Sequence, residues 1–189
     1  MHIVCYGDSN TFGYDPRSFF GGRYPAESRW TDVLEKRTGH IVKNCGMNGR
    51  TIPRRECELR DFEKSAADES ADLLIVMLGS NDLLLGADAD TAEQRMAGFL
   101  EILQLQRECV LLIAPPPMES GEWVTEERIK AESRLLAEKY RVLAKKTGIC
   151  FADAGEWNVE LSYDGVHFSE AGHRAFAEGI AGVIEMMNR

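Results

Sequence analysis

Five short apolar runs, separated by segments with helical spacing, constrain the fold of this chain more than any other feature. Continuous apolar runs of this length are typical of parallel strands buried on both faces. We therefore predict five such strands. They are His2–Tyr6, Ile41–Asn44, Leu73–Leu78, Val110–Ala114 and Ile149–Asp153.

The segments between the strands, and the last segment of the chain, have apolar residues at helical spacing. Ser28–Thr38 is the first predicted helix, and a capping-box pattern at Thr91 opens a second that runs through about Leu105. The longest predicted helix spans Glu126–Lys146. The apolar stripe of the final helix consists of Phe176, Ile180, Val183, Ile184 and Met187.

This alternation of strand and helix predicts an α/β fold with a doubly wound parallel sheet between two helical layers. The natural order for five strands is the flavodoxin-like order 2-1-3-4-5, which gives a three-layer α/β/α structure. A chain of 189 residues suits one such domain over residues 1–189. Ligands of this fold bind beyond the carboxyl ends of the strands, so the residues directly after each strand are the candidates for a site.

Charge and cysteine content restrict the partners. With 31 acidic and 22 basic side chains the net charge is -9, which argues against nucleic acid and anionic membrane surfaces as partners.

The longest apolar run, Leu73–Leu78, is too short to span a bilayer, and Met1–Tyr6 lacks the pattern of a signal peptide. The five cysteines lack CxxC spacing, and buried thiols in a reducing cytoplasm fit them best.

The residues after the first strand place a serine in the position expected of a nucleophile. Gly7-Asp8-Ser9-Asn10-Thr11 is a tight turn that lifts the Ser9 hydroxyl above the sheet edge. The alternative is an ordinary turn in which Asp8 or Ser9 caps the next helix.

The loops after the second and third strands offer hydrogen-bond donors to the same edge. Gly46 and Gly49 follow the second strand, and glycines let backbone N–H groups approach a ligand closely. Asn81, in Gly79-Ser80-Asn81-Asp82, could donate from its side-chain amide. A plain turn for the glycines and a loop-capping role for Asn81 are the alternatives.

After the fifth strand, Asp164 and His167 stand three residues apart in a loop before the last helix. That spacing lets the carboxylate hold one imidazole nitrogen while the other faces a serine. Together with Ser9 and the donors above, these residues make up a nucleophile, a base with its orienting carboxylate, and an oxyanion hole.

These segments resemble the conserved blocks of the SGNH (GDSL) hydrolase family over essentially the whole chain. The resemblance implies Ser9 as nucleophile, His167 as base and Asp164 as its orienter. It implies oxyanion donors in the Ser9 N–H, the Gly49 N–H and the Asn81 side chain, with Gly46 as the alternative to Gly49. It also implies a serine esterase acting on small acyl esters, without cofactor or metal.

One departure from the common motif and one looser likeness refine this expectation. Asn10 stands where the family commonly has leucine, and we predict that it affects substrate binding or packing. The runs Arg23–Trp30 and Ala114–Pro117 resemble the small arylesterase, acyltransferase and sugar-deacetylase branch. Acyl transfer and carbohydrate O-deacetylation on the same site are therefore alternatives to simple hydrolysis, and a homo-oligomer is left open.

Two other classes of protein compete with this interpretation. A metal-dependent phosphoesterase could use the ligand types at Asp8, Asn81, Asp82, Asp164 and His167, but the remaining histidines lack paired ligand spacing. Of these, His173 is expected to face solvent or to cap the last helix. A non-catalytic binding domain would be marked by a lost serine or histidine, and both are present.

An aromatic loop follows the Ser9 turn. Its rings can wall a pocket or an interface, or pack locally. They belong to Phe12, Tyr14, Phe19, Phe20 and Tyr24.

Overall fold

Five parallel strands form a sheet in the order β2-β1-β3-β4-β5 in the computed structural model of the chain, which describes residues 1–67, 70–103 and 107–187. The predicted strand order is confirmed. The strands are β1 (His2–Gly7), β2 (Ile41–Gly46), β3 (Leu73–Met77), β4 (Val110–Ala114) and β5 (Cys150–Asp153).

All five predicted strands are present, with ends that differ by at most two residues. The expectation that every strand is buried on both faces is wrong for β2 and β5. These are the edge strands of the observed order, and Ile41 at the start of β2 is 68% exposed. The three inner strands have the predicted burial, since β3 and β4 are buried throughout.

Seven α-helices lie among the described residues, and the four predicted helices are among them. They are α1 (Ser9–Phe12), α2 (Trp30–Thr38), α3 (Glu56–Ser65), α4 (Ser80–Leu84), α5 (Ala89–Ile102), α6 (Glu127–Thr147) and α7 (Glu170–Met187).

Two predicted helix starts are wrong. A 3₁₀ turn over Ala26–Ser28 precedes α2, so this helix begins at Trp30 rather than at Ser28. Helix α5 begins before Thr91, because Asp88 is the N-cap and accepts a 2.8 Å hydrogen bond from the Thr91 N–H. The predicted end of this helix at Leu105 lies outside the described residues.

Helix α3 was not predicted because its sequence is almost entirely polar. Phe62 is its one buried residue, so the helix has too few apolar positions to show a period. Its start carries a local signal, since the Glu58 carboxylate accepts a 2.9 Å hydrogen bond from the Arg55 N–H.

Alternate side chains of each inner strand enter two separate cores. Val4 and Tyr6 of β1 point to the core beneath α3, α5 and α6, whereas Ile3 and Cys5 point to the core beneath α2 and α7. This is the period of two expected for a strand between two helical layers. The two cores hold the sheet rigidly, and its carboxyl edge therefore provides a fixed frame for the loops that follow the strands.

The cysteines differ in burial more than the sequence suggests. Cys5 is fully buried, Cys57 is exposed, and Cys45, Cys109 and Cys150 are partly buried. The expectation of uniformly buried thiols is thus wrong, because Cys45 and Cys150 lie on edge strands and Cys57 lies on the outer face of α3. Among the described residues, no helix is both long and apolar enough to cross a membrane.

Candidate active site

Ser9 lies two residues after Gly7, the last residue of β1, and is the first residue of α1. The Asp8 carboxylate caps this helix by accepting a 3.0 Å hydrogen bond from the Asn10 N–H. Gly7 has no room for a side chain, since a Cβ atom there would lie 2.0 Å from Oγ1 of Thr11. The tight turn and the capping role of Asp8 are therefore both present, and together they fix the place of the Ser9 side chain at the edge of the sheet.

The His167 imidazole lies between the Asp164 carboxylate and the Ser9 hydroxyl. Its Nδ1 atom is 2.6 Å from Oδ2 of Asp164, and its Nε2 atom is 2.9 Å from Oγ of Ser9. All three side chains are buried. With the carboxylate ionised, Nδ1 donates to it and Nε2 is left to accept the hydroxyl proton. The structure thus brings together the three residues that the sequence predicts.

The Asp164 carboxylate is held in its ionised form. Burial by itself raises its pKa, but hydrogen bonds from the His167 ring and from the N–H groups of His167 and Val166 outweigh this and hold the pKa below its usual value. The two backbone bonds are both 2.9 Å long and end on Oδ1, which leaves Oδ2 to the ring. An ionised carboxylate in this place selects the imidazole tautomer with a free Nε2.

The loop after β4 supports the backbone around Asp164. The Trp123 N–H donates to the Asp164 carbonyl over 3.1 Å, and the Glu119 N–H donates to the Gly165 carbonyl over 3.0 Å. A Cβ atom at Gly121 would lie 2.3 Å from the Asp164 carbonyl carbon. This close packing of two loops was not predicted from the sequence.

Gly49, rather than Gly46, has an N–H group that is free to donate. Gly46 ends β2, and its N–H already donates to the Asn44 side chain over 2.9 Å. Gly49 lies in the next turn with a φ of 72°, and its N–H meets no acceptor in the part of the chain that the structure describes. The geometry therefore favours Gly49, in agreement with the choice made from the sequence.

The Asn81 side chain is fixed by the turn that contains Gly49. Its Nδ2 atom donates to the Arg50 carbonyl over 3.0 Å, rather than capping its own loop. The Arg50 guanidinium in turn donates to the carbonyls of Gly7, at 2.8 Å, and of Cys45. Since an amide nitrogen carries two hydrogens, the second N–H of Asn81 remains for a ligand. Arg50 therefore connects the carboxyl ends of β1 and β2, which its guanidinium binds, to both candidate donors. Its carbonyl binds Asn81, and Gly49 precedes it in the chain.

Asn10 makes contacts that were not expected of a substrate-binding residue. Its side chain is buried, and it bonds to backbone groups on both sides of His167. Nδ2 donates to the Val166 carbonyl over 3.1 Å, and Oδ1 accepts from the Phe168 N–H over 2.9 Å. Both ends of the amide are therefore engaged with the protein, so packing rather than substrate binding is the role that these contacts support.

Two aromatic rings pack against the His167 imidazole. The ring centres of Tyr14 and Trp123 lie 4.7 Å and 4.9 Å from that of His167. Tyr14 belongs to the predicted aromatic loop, whereas Trp123 was missed because it comes from a different loop. The other members of the loop have different environments: Tyr24 is buried, while Phe19 and Phe20 are 94% exposed.

His173 is buried in the core, so the prediction that it faces solvent or caps the last helix is wrong. Its Nδ1 atom accepts a hydrogen bond from the Trp30 N–H, and its ring packs against Tyr24 and Phe168. Burial lowers the pKa of His173 to about 3, so the ring stays neutral. It therefore forms part of the packing beneath the site.

The acidic residues of the rival phosphoesterase interpretation have separate partners. Asp82 accepts hydrogen bonds from Arg95, at 2.7 Å, and from the Ile52 N–H, at 3.0 Å. Burial raises the pKa of Asp8 to about 6. Within residues 1–67, 70–103 and 107–187, no three His, Cys, Asp or Glu side chains are grouped so that they could hold a metal ion.

The fold and the hydrogen-bonded line of carboxylate, imidazole and hydroxyl are those of a hydrolytic enzyme with an α/β/α architecture. The family model of the GDSL-like lipase/acylhydrolase family matches residues 5–175. The chain therefore belongs to this family, and it is a carboxylic ester hydrolase.

Several solved structures share this fold over their full length. A protein of Agrobacterium tumefaciens strain C58, proposed to be an arylesterase, is 31% identical with a TM-score of 0.86, and the match covers 99% of this chain and 100% of that one. A carbohydrate acetylesterase family member from Sinorhizobium meliloti is 29% identical, with a TM-score of 0.82 and 99% of both chains covered. The aryl esterase of M. smegmatis is 25% identical, with a TM-score of 0.84 and coverage of 98% and 99%. A search of curated protein sequences gave no significant match.

Proposed function

We propose that the chain is a serine esterase that cleaves small acyl esters through a covalent acyl-enzyme on Ser9. The observation that carries the proposal is the continuous line of hydrogen bonds from Asp164 through His167 to the Ser9 hydroxyl, 2.6 Å and 2.9 Å long. A serine hydroxyl is a weak nucleophile, and a base held at this distance activates it.

The proposed reaction has two halves. As Oγ of Ser9 attacks the ester carbonyl, its proton passes to Nε2 of His167, and the carbonyl oxygen becomes negatively charged. Collapse of this intermediate breaks the ester C–O bond, and the proton on Nε2 passes to the leaving alcohol oxygen. Water then attacks the acyl-Ser9 ester with His167 again as base, which releases the acid and restores the serine.

Three N–H groups would stabilise the negative oxygen. They are the Ser9 backbone N–H at the start of α1, the Gly49 backbone N–H, and the second N–H of the Asn81 side chain. Two observations support this set: the Gly46 N–H is occupied by Asn44, and the Arg50 carbonyl fixes the Asn81 amide. Donors fixed in advance stabilise the developing charge without reorganisation.

The solved structures that this chain resembles support small acyl esters as substrates. The similarity to an aryl esterase and to a carbohydrate acetylesterase family member supports acetyl esters of phenols and of sugars as the first candidates. Transfer of the acyl group to an alcohol is the alternative outcome for the same acyl-enzyme.

A fluorophosphonate probe tests the nucleophile directly, because it reacts with an activated serine hydroxyl. We expect the adduct on the peptide that contains Ser9, and almost no labelling of the His167→Ala variant. Chelator should change neither the labelling nor the hydrolysis of p-nitrophenyl acetate. A label on another residue, or hydrolysis that needs added divalent metal, would contradict the proposal. Acetate release from acetylated sugars, with and without an added alcohol, would then define the acceptor.

A further inference from the structure

We infer that Asn10 is a positioning residue, whose side-chain amide sets the distance between the His167 imidazole and the Ser9 hydroxyl. The inference rests on the proposed function, since it concerns the proton transfer between these two groups. Asn10 follows Ser9 in α1, and its amide is only 4% exposed.

The amide connects α1 to the loop at two points. Oδ1 accepts from the Phe168 N–H over 2.9 Å, and Nδ2 donates to the Val166 carbonyl over 3.1 Å. These are the two residues on either side of His167 in the chain. A single planar side chain therefore holds the backbone of His167 from both sides, in the manner of a short stretch of β-pairing.

The hydrogen bonds that His167 makes to Asp164 and Ser162 do not link it to α1. Both partners belong to the same loop, so they orient the ring without holding it to the helix. The segment after β4 and the Tyr163 hydroxyl also anchor this loop, but neither of them bonds to α1. Within the described part of the chain, the remaining hydrogen bond between α1 and residues 162–168 is the contact of Ser9 with His167 itself. The Asn10 amide is therefore the direct link between α1 and this loop that keeps nucleophile and base in register.

A leucine at this position could not form the connection. Its side chain has neither donor nor acceptor, so the Val166 carbonyl and the Phe168 N–H would lose their partner in a buried place. The loop would have to shift to satisfy them, and Nε2 would move relative to Oγ. Shifts of a fraction of an ångström are enough to impair a proton transfer between two fixed groups.

The leaving group of the substrate gives a readout that a loss of folded protein would not change. A p-nitrophenolate ion leaves without a proton, whereas an alkyl alcohol must receive one from Nε2 as the C–O bond breaks. A misplaced imidazole should therefore slow the cleavage of ethyl acetate more than that of p-nitrophenyl acetate. The quantity to compare is kcat/KM, because it reports the acylation half of the reaction.

We would measure kcat/KM for both esters in the wild type, Asn10→Leu and Asn10→Asp, with active sites counted by the fluorophosphonate probe. Both variants should lose activity. The factor by which kcat/KM falls should be about tenfold larger for ethyl acetate than for p-nitrophenyl acetate. This is only part of the rate gain that general acid–base catalysis usually gives. Asn10→Asp keeps the acceptor for the Phe168 N–H and loses only the donor to the Val166 carbonyl, whereas Asn10→Leu loses both. It also supplies the comparison if the leucine variant does not fold.

Trp30→Phe is the matched control. Trp30 donates from Nε1 to the backbone carbonyl of Asn10 over 3.1 Å, so this change perturbs the same residue of α1 but leaves the amide bridge in place. It should lower the melting temperature and keep the wild-type ratio of the two esters. An unchanged ratio in the Asn10 variants, or an equal change in Trp30→Phe, would overturn the inference while Ser9-dependent hydrolysis stands. Full activity of Ser9→Ala on both esters would overturn the proposed function, and this inference with it.

Discussion

Nε2 of His167 lies 2.9 Å from Oγ of Ser9, although 158 residues separate the two along the chain. Each side chain is placed by a different part of the structure: Ser9 by the turn after β1, and His167 by the loop before α7. The contributions of the proposed nucleophile, base, carboxylate and oxyanion donors can therefore be tested one at a time.

Removing the nucleophile is the first test. Ser9→Ala should abolish nearly all hydrolysis of p-nitrophenyl acetate and leave the circular dichroism spectrum unchanged, because the hydroxyl makes its one described contact with His167. Ser65→Ala, at an exposed hydroxyl that bonds within α3, is the matched control and should retain full activity. Activity of the Ser9 variant within a fewfold of wild type would refute the assignment.

The side-chain amide of Asn81 is the proposed oxyanion donor that mutation can remove without changing the backbone. Asn81→Ala should lower kcat by about 10²–10³ with little change in KM, the usual effect of losing one oxyanion donor. Asn81→Asp should be at least as damaging, because it puts a negative charge beside the developing oxyanion. Steady-state kinetics on one aryl ester decide the question, and an effect confined to KM would mean that Asn81 binds only the ground state.

Asp164 and His167 should behave as one unit. Asp164→Asn should lower kcat strongly while fold and KM are preserved, because the amide no longer selects the tautomer with a free Nε2. Removing both side chains should cost little more than His167→Ala alone. A double-mutant cycle on one aryl ester measures this, and additive losses would mean that Asp164 supports only the loop, whose N–H groups at Val166 and His167 it also binds.

Asp8 should make stability depend on pH. Burial raises its pKa from 3.8 in the unfolded chain to about 6 in the folded protein. Between these values the unfolded chain releases its proton first, so the contribution of Asp8 to the free energy of unfolding falls as pH rises from about 4 to about 6. Asp8→Asn keeps the helix cap and removes this penalty.

Urea unfolding of wild type and Asp8→Asn at two pH values provides the measurement. The variant should be more stable by up to about 3 kcal/mol near pH 8, and close to wild type near pH 4. Taking the difference between the two proteins cancels the opposite contribution of Asp164, whose pKa is lowered in the folded state. A difference that is the same at both pH values would show that Asp8 does not titrate in this range.

Acyl chain length should affect turnover. If the proposed function is correct, esters of acetate to butyrate should be cleaved faster than those of long fatty acids, because the sequence has no lid or long apolar segment between its strands. A series of p-nitrophenyl esters keeps the leaving group constant and tests the acyl group alone. Faster turnover of the palmitate than of the acetate would contradict this prediction.

The sequence predicted those parts of the site that depend on short spacings. The Ser9 turn, the Asp164 and His167 pair, and the choice of Gly49 all follow from residues within one loop or from the family resemblance. The fold could be predicted for a similar reason, since the inner strands are apolar throughout and the longer helices have clear apolar faces.

The features that the sequence did not predict are those that depend on contacts between distant loops. Trp123 reaches His167 from the loop after β4, and the Arg50 guanidinium binds strand ends that lie beside it only in the folded sheet. The burial of His173 likewise depends on the packing of α7 against α2. Asn10 could be recognised as unusual, but its role follows from two backbone atoms that no sequence pattern displays.

The wide separation of Ser9 and His167 along the chain has a consequence for how the protein matures. A chain still being synthesised can form β1 and its pairing with β2 and β3, but it has no base for the serine until the loop after β5 has joined the sheet edge. Such long-range contacts form slowly compared with local ones. The onset of ester hydrolysis during refolding would therefore report when the loop before α7 reaches the end of β1, and a chain stalled before that point would carry an unactivated serine.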